Sequence, residues 1–144
     1  AFPAVGGIVH THSLYATMFA QARRPIPCLG TTHADHFAGA VPVTRQLKPE
    51  EMGEYEKNTG KLIAERLGEA DAANVPAVLV AGHGPFAWGP TVAKAVENAV
   101  ALEAVARMAL GTLVVNAEAG ALEAHVLAKH HERKHGTGRY YGQG

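Results

Sequence analysis

Two histidines separated by a single residue, His10 and His12, follow an apolar run at residues 5–9. Such a run is typical of a buried β-strand, and side chains two residues apart on a strand point to the same face. The two imidazoles should therefore project together at the end of this strand. Paired imidazoles on a rigid element can supply two of the three protein ligands that a catalytic zinc ion usually takes.

A possible third ligand is His83, which lies between Gly82 and Gly84 directly after a second apolar run. The flanking glycines permit backbone conformations that other residues resist, so this imidazole can be aimed where packing alone would not place it. Alternatively, the histidines are ordinary polar residues at a strand end and in a loop. The spacing alone leaves both interpretations open, and three imidazoles would also suit divalent ions other than zinc.

A second polar cluster occupies residues 30–36, with the order Gly-Thr-Thr-His-Ala-Asp-His. Asp35, placed between imidazoles, could act as a general base whose pKa is set by burial and by the charge of a metal ion. The alternative is a polar turn with exposed histidines, which is the more common use of this composition.

A third cluster lies near the C-terminus, where the basic residues 130–135 precede a glycine-rich tail that contains Tyr140 and Tyr141. A basic run at the end of a helix usually does no more than interact favourably with the helix dipole. Tyrosine can act as a general acid, and a tyrosine pair in such a tail could become ordered against a neighbouring subunit, although most tyrosines only pack.

The composition narrows the possible functions. The chain has 144 residues, 47% of them hydrophobic, which fits one domain with a sizeable core. Acidic and basic residues balance at 13 each, which argues against a nucleic-acid partner and gives no reason to expect an anionic membrane surface. We find no apolar run of membrane-spanning length and no signal peptide. The single cysteine, Cys28, excludes an intrachain disulfide and favours a cytoplasmic location.

The hydrophobic pattern predicts an alternation of strands and helices, which indicates a layered α/β domain formed by residues 1–144 as a single unit. Ser13 is expected to cap the first helix, and residues 82–89 are expected to form a loop. The predicted strands cover residues 5–10, 28–32, 40–44 and 76–81. The predicted helices cover residues 14–21, 50–67, 91–115 and 118–135.

Taken together, four segments resemble the class II aldolase/adducin family, and within it the enzymes that epimerise sugar phosphates. The segments are residues 7–13, 30–35, 82–89 and 129–143. The resemblance implies an α/β/α fold with a mostly antiparallel central sheet, and a Zn²⁺ ion held by His10, His12 and His83. It also implies inversion at C4 of a pentulose phosphate through cleavage and re-formation of a carbon–carbon bond.

The same resemblance implies roles for further residues. Asp35 and Tyr141 would serve as acid and base on opposite sides of the cleaved aldehyde, and His130 would assist near the tyrosine. Thr31 and Glu56 match positions that line or support the substrate site. The protein would be a cytoplasmic homotetramer with active sites at its subunit interfaces.

The chain corresponds to the C-terminal two-thirds of the family domain, so we expect further sequence upstream of Ala1. In the family, the phosphate-binding segments and a carboxylate near the metal lie in that upstream part. Two alternatives to the epimerase remain: a sister aldolase acting on fuculose or rhamnulose 1-phosphate, and a metal-binding or assembly module without catalysis.

Overall fold

The computed structural model of the chain describes residues 2–137, 139 and 140. Its three strands form one sheet, and helices pack on both faces of that sheet. The strands are β1 (Gly7–His10), β2 (Ala77–Val80) and β3 (Gly84–Gly89). The helices are α1 (Leu14–Gln21), α2 (Thr31–Ala34), α3 (Tyr55–Arg66), α4 (Glu69–Asn74), α5 (Val92–Val115) and α6 (Ala124–His135), with a 3-10 helix at Pro49–Glu54 before α3.

The strand order in the sheet is β1-β3-β2, and both pairs of neighbours are antiparallel. The central position of β3 corrects the prediction of a loop over residues 82–89. Glycine and proline in this segment suggested a turn, but here glycine gives room for close packing. A Cβ at Gly89 would lie 2.9 Å from the Lys94 side chain, so α5 can approach the strand only because residue 89 has no side chain.

Alternate residues of the strands point into two separate apolar layers, as the pleat of a sheet requires. Ala77, Leu79 and Ala87 join a core that α1 and α5 complete. Val78 and Trp88 face the other way and pack with Leu67 and Ala72, from the end of α3 and from α4. The sheet is therefore the middle layer of an α/β/α arrangement, which confirms the predicted fold class.

Helix α5 is the longest element and packs against β3, β1 and α1. It is long and apolar enough, by length and composition, to cross a membrane, so the expectation that no segment reaches that length is wrong here. Contacts with the sheet and with α1 are nevertheless those of a core helix. Its buried residues are Ala95, Asn98, Ala101, Leu102, Val105, Ala106 and Ala109.

The predicted elements at residues 14–21, 76–81 and 91–115 are confirmed within a residue or two, and the helix predicted over 50–67 divides into the 3-10 helix and α3. The strand predicted over 28–32 is wrong, because Gly30 lies at the N-cap of α2. The strand predicted over 40–44 reduces to isolated bridges at Val41 and Val43, on either side of a proline that cannot donate to a ladder.

The last helix begins at Ala124 and not at residue 118 as predicted. The residues before it include Gly120, which disfavours helix. They also cross back to an earlier segment, where the Leu122 backbone N–H donates to the Cys28 carbonyl at 2.8 Å.

Candidate metal centre

His10 is the last residue of β1, and its ring is fixed by two contacts with the start of β3. The ring stacks on Phe86, its cross-strand partner, with 4.1 Å between the ring centroids. Its Nδ1 lies 3.0 Å from the carbonyl oxygen of Pro85. A carbonyl can only accept, so Nδ1 carries the proton and Nε2 is left as the nitrogen that can bind a metal.

His83 lies in the turn that joins β2 to β3. Gly82 adopts a positive φ of 74°, a conformation that glycine reaches more easily than other residues. This agrees with the expectation that glycine next to His83 permits an unusual backbone conformation. The turn is further held by hydrogen bonds from Gly82 N–H to the Ala20 carbonyl and from His83 N–H to the Val80 carbonyl. On the imidazole itself, Nδ1 lies 3.1 Å from the hydroxyl oxygen of Tyr55.

Gly84 serves a different purpose from Gly82. A Cβ at this position would lie 2.8 Å from the Thr11 carbonyl oxygen and 3.2 Å from Cδ2 of His12. Glycine is therefore needed at residue 84 because the segment that carries His12 passes directly over it.

The three predicted ligands converge. The ring centroids are 5.0 Å apart for His10 and His12, 4.7 Å for His10 and His83, and 5.0 Å for His12 and His83. One nitrogen from each ring lies within 4.8 Å of the other two. A tetrahedral zinc site holds its ligand nitrogens about 3.3 Å apart, a spacing that modest side-chain rotation would reach from this geometry.

The electrostatics of the cluster suit a divalent cation. Burial, and then the neighbouring His10 and His12, lower the pKa of His83 below its ordinary value. Burial and repulsion therefore favour the neutral form of the His83 imidazole, which is the form that binds a metal ion. The donor set therefore fits Zn²⁺ or a similar ion.

A cavity of about 510 Å³ opens beside this cluster, on the face of the sheet opposite α1 and α5. His10, His83, Tyr55 and Glu56 form its polar side. The rest of its wall is largely apolar and includes Ile8, Ile63, Phe86 and Trp88. Glu56, predicted to line or support the substrate site, thus lines the same cavity as His10 and His83.

Asp35 belongs to a second polar cluster, between α2 and α6. Nδ1 of His130 lies 3.0 Å from its Oδ1, and the Arg133 guanidinium donates to both carboxylate oxygens. Burial alone would raise the pKa of Asp35, but hydrogen bonds from Arg133 and His130 lower it below its usual value. Burial thus contributes to this pKa as expected, and Arg133 and His130 hold the carboxylate ionised.

Two predicted site residues remain, Thr31 and Tyr141. Thr31 begins α2, and its carbonyl accepts the backbone N–H of Asp35 at 2.9 Å. Tyr141 lies outside the described residues. Among the described residues that line the cavity beside the imidazoles, none is Thr31, Asp35 or His130. Within one chain, Asp35 and His130 thus form a cluster distinct from that of the three predicted metal ligands.

Three residues that position these groups were not identified from the sequence: Arg133, Tyr55 and Glu103. Glu103 on α5 accepts the backbone N–H of Tyr15 at 2.8 Å and that of Ala16 at 3.0 Å. It therefore caps α1, the helix that follows the His-x-His segment. Ser13 occupies the N-cap position as predicted, but its side chain makes no capping hydrogen bond, and Glu103 supplies the acceptor instead.

Comparison with known proteins defines the class of protein to which this fold and site belong. Residues 1–110 match the family described as Class II Aldolase and Adducin N-terminal domain, and the chain belongs to that family. Among curated relatives, it is 52% identical over 143 residues to the L-ribulose-5-phosphate 4-epimerase UlaF of Salmonella paratyphi B. The match covers 99% of this chain but 63% of the relative, so the chain spans less than two-thirds of that enzyme's length.

Solved structures agree on the fold. YgbL of Klebsiella pneumoniae, a candidate aldolase, epimerase or decarboxylase, is 30% identical with a TM-score of 0.63, over 89% of this chain and 58% of YgbL. An L-fuculose 1-phosphate aldolase is 21% identical with a TM-score of 0.65, over 88% of this chain and 54% of that one. The second likeness concerns the fold alone.

Proposed function

We propose that this chain is the metal-binding part of a zinc-dependent sugar-phosphate epimerase that interconverts L-ribulose 5-phosphate and D-xylulose 5-phosphate. The observation that carries the proposal is the convergence of His10, His12 and His83, whose nitrogens lie within 4.8 Å of one another. The 52% identity to an L-ribulose-5-phosphate 4-epimerase supports the choice of reaction within the family.

His10, His12 and His83 would hold the ion, and the bound Zn²⁺ would supply Lewis-acid stabilisation of the negative charge that develops when the bond between C3 and C4 breaks. The Pro85 carbonyl orients the ring of His10, and the Tyr55 hydroxyl orients the ring of His83, each through the Nδ1 atom.

Inversion at C4 requires the released aldehyde to rotate and to be attacked on its other face. Each epimer then needs its own proton donor and acceptor, on opposite sides of the aldehyde. We assign these roles to Asp35 and Tyr141, with His130 assisting. Asp35 and His130 are in contact with each other and do not line the cavity beside the imidazoles of their own chain. We therefore propose that a neighbouring subunit of a homotetramer brings the acid/base cluster to the metal.

A sister aldolase would use the same metal cluster and release the two fragments without rejoining them. The test is to supply L-ribulose 5-phosphate and follow both D-xylulose 5-phosphate and free dihydroxyacetone. Conversion without accumulation of dihydroxyacetone supports the epimerase, and accumulation supports the aldolase. Zinc binding without either product would support a non-catalytic module.

Two variants assign the roles. His83→Ala should lose zinc and turnover together. Tyr141→Phe should lower turnover by at least tenfold and leave the zinc content unchanged. Tyr140→Phe, the same change one residue earlier, is the matched control and should retain both properties. Unaltered turnover in Tyr141→Phe would exclude the acid/base role of this tyrosine.

A further inference from the structure

We infer that Tyr55 is a positioning residue that orients His83 for metal binding, an inference that rests on the proposed zinc site. Its hydroxyl oxygen lies 3.1 Å from Nδ1 of His83, on the side of the ring away from the nitrogen left for the ion. When Nε2 binds the metal, Nδ1 carries the proton, and the tyrosine hydroxyl accepts the hydrogen bond.

The backbone of Tyr55 is held in place by the helix that it begins. Tyr55 is the first residue of α3, directly after the 3-10 helix, and its carbonyl accepts the Thr59 hydroxyl at 2.8 Å. The two aromatic rings are 6.0 Å apart between centroids, so they are linked through the hydroxyl and not by stacking. The hydroxyl is therefore the atom through which Tyr55 acts on His83.

One short segment ties the start of α3 to the turn that carries His83. Arg45 donates to both carboxylate oxygens of Glu51, in the 3-10 helix, and to the carboxylate of Glu65, in α3. It therefore links these two helices to each other. The preceding residue, Thr44, accepts the backbone N–H of Ala81 through its hydroxyl and donates its own N–H to the Leu79 carbonyl. The contacts of Thr44 and Arg45 therefore hold the start of α3 close to the turn that carries His83.

The Nδ1 atoms of His10 and His83 have different kinds of partner, and this difference allows the role of Tyr55 to be tested. Nδ1 of His10 is paired with a backbone carbonyl, that of Pro85, which a side-chain substitution leaves in place. Nδ1 of His83 is paired with a side chain, so a single substitution removes its partner. Removal of such an outer partner of a metal-binding histidine typically costs a factor of 10–100 in metal affinity.

The experiment compares zinc affinity of the full 144-residue chain and of Tyr55→Phe by competition with a chelator. We expect the substitution to weaken binding by about tenfold or more. Tyr15→Phe is the matched control, because the contact of Tyr15 is made by its ring, which lies under Arg107. The unfolding midpoint of each variant in excess chelator shows whether the fold is retained.

A spectroscopic readout separates positioning from a general loosening of the fold. In the zinc-loaded chain, NMR should show a slowly exchanging Nδ1 proton on both His10 and His83. In Tyr55→Phe, the His83 proton should exchange rapidly and the His10 proton should stay protected. Zinc affinity equal to that of the wild type would overturn the inference and leave the zinc site standing, whereas failure of the wild-type chain to bind zinc would remove the proposed function first.

Discussion

Arg133 donates through Nη2 to both carboxylate oxygens of Asp35, at 3.0 and 2.9 Å, and so joins α6 to α2 across 98 residues of sequence. His130 and His135 add contacts to the side chain and the carbonyl of the same aspartate. No residue of α6 within the described chain is buried. The position of this helix therefore depends on polar contacts, those with Asp35 among them, more than on buried apolar packing.

Replacing Asp35 by Asn should release α6. The change removes a charge that is 15% exposed and leaves Arg133 with a weaker partner, at a cost of about 1–3 kcal/mol. Amide hydrogen exchange along α6 should accelerate by about tenfold or more, while exchange in α5 stays unchanged. Glu54→Gln, which removes an ion pair 60% exposed on both sides, should leave α6 unaffected. Equal protection of α6 in Asp35→Asn would contradict this account.

His33 should make the chain acid-sensitive. Burial is the main cause that lowers the pKa of His33 to about 4; the neighbouring His36 also lowers it, and a hydrogen bond to the Gly39 carbonyl opposes both. Between pH 6.5 and about 4, the unfolded chain takes up a proton at this residue that the native chain refuses. Stability therefore falls as the pH falls through this range, by up to about 3 kcal/mol from this residue.

The variant His33→Gln tests this titration, because glutamine keeps an N–H donor for the carbonyl and does not take up a proton. Urea unfolding at pH 6.5 and pH 4 in the presence of chelator should show a smaller loss of stability in His33→Gln than in the wild type. His125→Gln, on the exposed side of α6, serves as the control and should behave like the wild type. An identical loss in all three proteins would exclude His33 as the sensitive group.

Glu103→Gln should destabilise the chain by about 1–2 kcal/mol, because two N–H groups at the start of α1 lose a charged acceptor. Ser13→Ala should cost less than about 0.5 kcal/mol, since the serine side chain makes no capping bond. The free energies of unfolding in urea decide between the two residues. The reverse order would restore Ser13 as the cap.

Gly84→Ala should weaken zinc binding and the fold together. Its Cβ would lie 2.8 Å from the Thr11 carbonyl oxygen and must displace the segment that carries His12. We expect a loss of about 1–3 kcal/mol in stability and at least tenfold in zinc affinity. Gly111→Ala on α5, where a Cβ meets nothing within 4 Å, should be neutral or stabilising by up to about 1 kcal/mol. Normal zinc affinity in Gly84→Ala would contradict the close approach.

The convergence of the three imidazoles was predictable because it depends on local sequence features. Alternation along a strand places His10 and His12 together, and glycine frees the turn at His83. The central strand β3 was missed because its glycines and its proline have the composition of a loop, and only the packing partners show why they are there. Tyr55 and Glu103 were missed for a related reason: each acts on a residue 28 or more positions away, and nothing in the residue type reveals that partner.

The pairing of His10 with Phe86 would also make the proposed zinc ion a reporter of strand register. Sliding β1 by one residue along β3 would turn Thr11 toward the cavity and send both imidazoles of the His-x-His segment to the opposite side. Uptake of zinc during refolding, followed with an ion-sensitive dye, would then mark the moment when two segments 75 residues apart settle into their correct alignment.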